Sequence, residues 1–159
     1  MKNRVLLDTS FLISLADSNR PNHAAAESFL RYFMEKRIPI LFSTIVASEF
    51  GVMQPVTDLP LHMFEIVPFN MPHACKAAEL NFNRARTTAD DRNVVKDDFK
   101  LIAQAVEEQA THILTEDART LFRYCERLRA EGMTSVRAVK LADGFDVSVF
   151  EGGQGMLAM

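Results

Sequence analysis

Carboxylates recur in this sequence beside short apolar runs. Asp8 ends the run RVLLD, Asp117 follows HILT, and Glu49 lies on the segment after PILFS. Asp97 and Asp98 open the segment DDFKLIAQA. Carboxylates that converge repel one another unless a cation lies between them. Because no His or Cys accompanies these acids, Mg²⁺ or Mn²⁺ suits them better than zinc. Such ions can activate water and stabilise the departing oxygen in phosphodiester cleavage.

Each acid also has a structural explanation when it is taken alone. Asp8 and Asp117 could each cap the helix that follows, and Asp97 and Asp98 could cap a helix in whose first turn they are predicted to lie. Glu49 is harder to explain in this way, because its neighbours are apolar and a partly buried carboxylate needs a partner. The argument for a site depends on the acids as a set.

Apolar periodicity predicts alternating strands and helices. The predicted strands are Arg4–Asp8, Ile38–Ser43, Met63–Phe69, Thr111–Thr115 and Ser135–Leu141. The predicted helices are Thr9–Ser18, Ala24–Lys36, Thr44–Met53, Met71–Ala85, Asn93–Ala105 and Glu116–Gly132. Such alternation predicts an α/β fold with a mainly parallel sheet covered on both faces. Functional groups gather beyond the carboxyl ends of such strands, so four of the acidic positions are expected to converge at one edge.

The bulk properties suit one globular domain. The chain has 159 residues, 48% hydrophobic and 25% charged, with a net charge of −3. Any nucleic acid would therefore have to be held by a local basic patch. Cys75 and Cys125 are expected to be buried thiols in a reduced compartment. The N-terminal apolar run is short and contains an acid, so we expect no signal peptide or membrane span, and a cytoplasmic protein.

Four short motifs, in order along the chain, resemble those of PIN domains. VLLDTSFLI looks like the opening motif, in which a strand delivers an Asp followed by hydroxyl residues. STIVASEF is similar to the second motif, DFKLIAQA to the third and ILTED to the fourth. The resemblance runs from about Val5 into the 120s, whereas the tail from Ala142 onward has no counterpart in the pattern.

This resemblance implies a three-layer α/β/α fold and a metal-dependent endoribonuclease. The catalytic, metal-binding acids would be Asp8, Glu49, Asp98 and Asp117, with Mg²⁺ or Mn²⁺ as cofactor. Counting back from the IAQA stretch places the acid of the third motif on Asp98 and not on Asp97. No further acid is expected nearby. Ser10 and Thr115 match hydroxyl positions that orient the carboxylates or a water. The PIN-like domain would span residues 1–141, and residues 142–159 would form a tail of unknown role.

The same resemblance implies partners. They are an RNA substrate, an antitoxin protein if the chain is the toxin of a type II toxin–antitoxin pair, and further copies of the chain in a homo-oligomer. Arg119, Arg123 and Lys100 lie near the predicted acids and are candidates for phosphate contact, since phosphates dominate nucleic-acid affinity. The alternative for these residues is a solvated helix face.

Two other functional hypotheses remain open at this stage. One is a catalytically silent PIN-like module that binds RNA or protein. The other is a different Mg²⁺-dependent α/β enzyme, such as a phosphatase of the haloacid dehalogenase type. That phosphatase would need Asp-x-Asp after the first strand, and Ser10 stands where the second Asp would be.

Overall fold

A five-stranded parallel sheet forms the centre of the protein. The structure is a computed structural model, and it describes residues 2–80, 87 and 89–152. The strands are β1 (Val5–Leu7), β2 (Ile40–Ser43), β3 (Glu65–Val67), β4 (His112–Thr115) and β5 (Arg137–Lys140). They lie in the order β3-β2-β1-β4-β5, and every neighbouring pair is parallel. The predicted α/β class and parallel sheet are confirmed.

Helices flank this sheet. They are α1 (Thr9–Ala16), α2 (His23–Glu35), α3 (Thr44–Met53), α4 (Met71–Leu80), α5 (Arg92–Glu107), α6 (Leu121–Ala130) and the short α7 (Ser148–Glu151). The chain moves outward from β1 to β3 and then crosses back to β4 and β5. Right-handed crossovers therefore place α1–α3 on one face of the sheet and α4–α6 on the other. No helix among the described residues is long and apolar enough to cross a membrane.

The strands at the centre of the sheet are the most apolar. Val5, Leu6 and Leu7 of β1 are fully buried, because helices cover both faces of the strand. On the edge strand β3, Glu65 and Ile66 are exposed and only Val67 is buried. The carboxyl ends of all the strands meet at one edge of the sheet, where the chain leaves β1 and β4 in opposite directions. Such a reversal opens a crevice in doubly wound folds.

Two expectations about local structure were wrong. Cys125 is buried as expected, but Cys75 is exposed on α4. The last predicted helix begins at Leu121 and not at Glu116, because the residues around Asp117 form a turn. The predicted extension of α4 to Ala85 falls on residues 81–85, which lie outside the described part of the chain.

The described part of the tail packs against the domain at the opposite edge of the sheet. Phe150 of α7 is buried against the rings of Phe29 and Phe33 on α2. The Nε2–H of His112, the first residue of β4, donates to the Val149 carbonyl at 3.1 Å. Asn3 Nδ2 donates to the Phe150 carbonyl at 2.8 Å. Val149 and Phe150 thus lie at the amino ends of β1 and β4.

Candidate active site

Asp8 is held firmly where β1 ends and α1 begins. Its Oδ1 accepts from the Thr9 backbone N–H at 2.7 Å, so it caps α1. Its Oδ2 accepts from the hydroxyls of Ser10 at 2.9 Å and Thr115 at 2.7 Å. Burial raises the pKa of Asp8, the three hydrogen bonds partly oppose that rise, and the charge of Asp117 adds to it. Capping and membership of the cluster are therefore compatible roles for one carboxylate.

Glu49 reaches the same region from α3. The helix begins after Ser43, whose Oγ accepts from the Ile45 N–H at 3.1 Å and caps it. The Thr9 hydroxyl donates to Glu49 Oε2 at 2.5 Å, which ties α3 to the start of α1. Burial raises the pKa of Glu49; the Thr9 hydrogen bond lowers it, and the charge of Asp8 raises it again. The partner that a half-buried Glu49 was expected to need is Thr9.

Asp98 lies in the second turn of α5, not in the first turn as predicted. The cap is Asp91, whose side chain accepts from the N–H groups of Asn93 and Val94. Burial raises the pKa of Asp98 to about 7; the Thr120 hydroxyl lowers it, whereas neighbouring carboxylates raise it. Its Oδ2 is buried and accepts no hydrogen bond from the described residues. A buried carboxylate oxygen without a donor suits a site completed by a cation.

Asp97 occupies a different environment from its neighbour. Its side chain is 49% exposed, and its Oδ1 lies 3.4 Å from Lys100 Nζ. It does not cap the helix, contrary to the expectation from its position. Its charge nevertheless contributes to the raised pKa of Glu49, so Asp97 lies close to the rim of the cluster.

Asp117 stands in the turn between β4 and α6. Its Oδ1 accepts from the N–H groups of Arg119 at 2.8 Å and Thr120 at 3.0 Å, and its Oδ2 from the Thr120 hydroxyl. Burial acts to raise the pKa of Asp117, but these hydrogen bonds together lower it. Asp117 is therefore held charged, whereas Asp98 is held near the protonated form.

Four carboxylates from distant parts of the sequence thus share one electrostatic environment. The charges of Asp8, Asp117 and Glu49 all raise the pKa of Asp98. The donor atoms are all oxygens, the ligands that Mg²⁺ and Mn²⁺ prefer. Across residues 2–80, 87 and 89–152, however, no three His, Cys, Asp or Glu side chains are arranged so that they could hold a metal ion. The carboxylates lie near one another without forming a ligand shell.

Two of the predicted phosphate-binding residues are engaged by acids. Arg123 pairs with Asp90, which also accepts from the Tyr124 hydroxyl. Lys100 pairs with Asp97. Arg119 is exposed and forms no ion pair with any described residue.

Several polar residues around the cluster had not been singled out from the sequence. The hydroxyls of Thr9 and Thr120 donate to Glu49 and Asp117. Their positions in the sequence, one residue after Asp8 and three residues after Asp117, could have identified them. Glu116 is a further acid beside Asp117, although none had been expected. Its carboxylate accepts from the Ser14 hydroxyl and from Asn22 Nδ2, the latter at 3.2 Å.

Comparison with solved structures identifies the class of fold. VapBC2 from Rickettsia felis, bound to a promoter DNA fragment, aligns with a TM-score of 0.59 at 16% identity, over 86% of this chain and 97% of that one. Mycobacterium tuberculosis VapC20, described as a sarcin-ricin loop cleaving toxin, aligns at 0.55 and 16% identity, over 84% and 98%. DNA-bound VapBC from Salmonella typhimurium aligns at 0.55 and 13% identity, over 87% and 98%.

The protein therefore has a PIN-like fold. Within that class, the likeness is to the fold of VapC toxins, and it extends over most of the chain. No protein-family model matches the sequence, and no curated protein matches it significantly.

Proposed function

We propose that this protein is a metal-dependent endoribonuclease that hydrolyses RNA phosphodiester bonds. The observation that carries the proposal is the convergence of Asp8, Glu49, Asp98 and Asp117 at the carboxyl edge of the sheet. Asp98 Oδ2 is buried there and accepts no hydrogen bond from the part of the chain that the structure describes. These four residues would hold Mg²⁺ or Mn²⁺. A bound cation would supply the positive charge that stabilises the phosphate in the transition state, and would make water a better nucleophile.

The chain's own residues prepare this site in two ways. Ser10 and Thr115 fix the position of Asp8 through hydroxyl donors at 2.9 and 2.7 Å, and these hydrogen bonds partly oppose the rise of its pKa by burial. The raised pKa of Asp98 means that, without a cation, its carboxyl is partly protonated near neutral pH. Cation binding would be accompanied by release of that proton, because a charged carboxylate is the better ligand.

The fold supports a more specific assignment. Of the similar structures, one is a toxin described as cleaving the sarcin-ricin loop, and two are VapBC assemblies with DNA. We infer that the chain is the toxin of a type II toxin–antitoxin pair, with RNA as substrate, an antitoxin protein as partner and self-association into a homo-oligomer. Arg119 is the one residue of the original phosphate-binding set that has no ion-pair partner among the described residues, so we propose it as an RNA contact.

The test compares matched carboxylate variants on single-stranded RNA. With Mn²⁺ or Mg²⁺, wild type should cleave and a chelator should stop cleavage. Asp8→Asn and Asp117→Asn should each reduce the rate by more than about 100-fold, the upper end of losses for outer partners of metal ligands. Asp97→Asn removes a neighbouring charge outside the proposed ligand set and should retain most activity.

The variants also separate this function from its competitors. Equal cleavage by wild type and Asp8→Asn from parallel preparations would assign the activity to a contaminant. RNA binding without cleavage would favour the second candidate, a catalytically silent PIN-like binding module. The observation favouring that candidate is the lack of a metal-ligand arrangement among the described side chains.

A further inference from the structure

The last strand brings a lysine to the edge of the sheet that carries the acids. Lys140 ends β5 and is in register with Thr115 of β4. Thr115 in turn donates to Asp8 at 2.7 Å, and the Asp8 backbone N–H continues the ladder to Leu114 at 3.0 Å. Adjacent strands lie about 4.8 Å apart, so the backbone of Lys140 is about 10 Å from that of Asp8. A lysine side chain can span much of that distance.

The Lys140 ammonium lies over an aromatic ring. Its Nζ is 4.7 Å from the centroid of Phe122, a distance at which a cation is attracted to the face of a ring. Phe122 belongs to the first turn of α6, and its N–H donates to the Asp117 carbonyl at 3.1 Å. The ring therefore holds the lysine beside the turn that carries Asp117.

No strong anion neutralises this lysine within the described chain. Its charged neighbour is Asp143, whose Oδ2 lies 3.7 Å away and whose side chain is 69% exposed. Exposed pairs of this kind contribute roughly 0–1 kcal/mol. Among the described residues, Lys140 Nζ makes no hydrogen bond, whereas Arg123 is paired with Asp90, whose side chain is only 14% exposed. The pair of Lys100 with Asp97 is exposed, as that of Lys140 is.

A polyanion that approaches four carboxylates needs cations along its path. Among the described residues, Arg123 is paired with Asp90, and Arg119 in the turn and Lys140 at the end of β5 are basic groups near Asp117. Both lie on the β4–β5 side of the cluster, away from α3 and Glu49.

We propose that Lys140, held by Phe122, binds a backbone phosphate of RNA next to the one that is cleaved. This inference rests on the proposed nuclease function and adds a substrate subsite to it. The contact is to a phosphate and not to a base edge, since an ammonium acts as a point charge that many sequences can satisfy. Phe122 is a positioning residue here, because it fixes the lysine and need not contact the RNA.

The test measures how RNA binding depends on salt. A fluorescein-labelled single-stranded RNA of mixed sequence is titrated with each protein in chelator, which prevents cleavage, and binding is followed by anisotropy from low to moderate salt. Lys140→Met keeps an apolar stem over Phe122 and removes the charge. It should weaken binding roughly tenfold at low salt, as for one lost charge-assisted hydrogen bond. The slope of log K against log salt should fall by about 0.7, the value for one phosphate on a single strand.

Two further variants serve as controls. Lys140→Arg should bind nearly as wild type, because it keeps the charge. Arg123→Met removes a cation that is already paired with Asp90, so it should leave the slope unchanged. An unchanged slope in Lys140→Met would overturn the proposal, whether or not affinity falls, since a packing defect weakens binding without altering counterion release. An equal slope change in Arg123→Met would also overturn it.

Failure of the proposal and failure of the nuclease function are distinguishable. If wild type does not cleave with Mn²⁺ but Lys140→Met lowers the slope, the phosphate contact stands and the nuclease function falls. If wild type cleaves and Lys140→Met has the wild-type slope and cleavage rate, the nuclease function stands and the subsite falls.

Discussion

Asp98 offers a quantitative test of the carboxylate cluster through Asp98→Asn. In the folded protein its pKa rises from an ordinary 3.8 to about 7. Each pKa unit corresponds to about 1.4 kcal/mol, so charging this group costs the folded state up to about 4 kcal/mol. Since the side chain keeps some contact with solvent, we expect a measured effect between about 2 and 4 kcal/mol.

The sign follows from proton linkage. Because the folded pKa is higher than the unfolded one, the unfolded chain releases this proton at lower pH than the folded chain does. The stability associated with protonated Asp98 is thus fully present below about pH 4 and lost as pH rises to about 7. The Asp98→Asn variant has no carboxyl group to ionise at this position, so it cannot lose this stability as pH rises. The variant should therefore gain on wild type by about 2–4 kcal/mol between pH 4 and pH 8.

The assay is urea unfolding followed by circular dichroism in chelator. The chain contains no Trp and only 2 Tyr, so intrinsic fluorescence is a weak probe. Comparing the difference between the two proteins at pH 4 and pH 8 cancels any constant cost of burying an amide at position 98. Asp97→Asn is the matched control, because that side chain is half-exposed and pairs with Lys100. It should show little pH-dependent gain.

Divalent cations should offset much of the advantage of Asp98→Asn over wild type at pH 8. Mg²⁺ or Mn²⁺ at about 100 times its Kd should stabilise wild type and Asp97→Asn by about 2.7 kcal/mol, and Asp98→Asn far less. A pH-independent difference between wild type and Asp98→Asn would refute the assigned protonation state. Equal loss of the metal increment in both Asn variants would refute the choice of Asp98 over Asp97.

Two other changes probe the two edges of the sheet. Thr115→Val keeps the buried shape but removes the hydroxyl that donates to Asp8, so the free energy of unfolding should fall by about 1–3 kcal/mol and RNA cleavage should drop. A variant with wild-type stability and activity would show that the hydroxyl is dispensable, and Ser28→Ala, at a partly exposed position away from the acids, is the control. Burial lowers the pKa of His112, so its contribution to stability is present above about pH 6.5 and lost as pH falls below that value. In a plot of the urea unfolding midpoint against pH, His112→Asn should therefore flatten the acid side. A plot identical to that of wild type would contradict this reasoning.

The sequence predicted best what local chemistry determines. Helix α3 has the predicted bounds, Thr44–Met53, because Ser43 caps it directly after a strand. The parallel sheet followed from the alternation of predicted strands and helices. These features depend on residues within a few positions of one another.

Features that depend on distant residues were missed. The start of α5 was predicted to within one residue, but its cap was assigned to Asp97 and Asp98, whereas Asp91 caps it. The partner of Arg123, a candidate RNA contact, was not anticipated: it is Asp90, an acid 33 positions earlier. Spacing along one helix carries no information about such a partner. The exposure of Cys75 likewise depends on how α4 packs, which its own pattern does not determine.

The contact between Asn3 and the Phe150 carbonyl brings together residues near the two ends of the described part of the chain. Residues 147 positions apart are hydrogen-bonded at the edge of the sheet that lies away from the carboxylates. A peptide of a few residues joining position 152 to position 2 would thus span a short gap, where closure entropy is small. The resulting ring could be reopened at exposed Thr57 and Asp58, between α3 and β3. Such a circular permutant would carry any fused partner on the rim near β3, with the strand order and the carboxylate cluster unchanged.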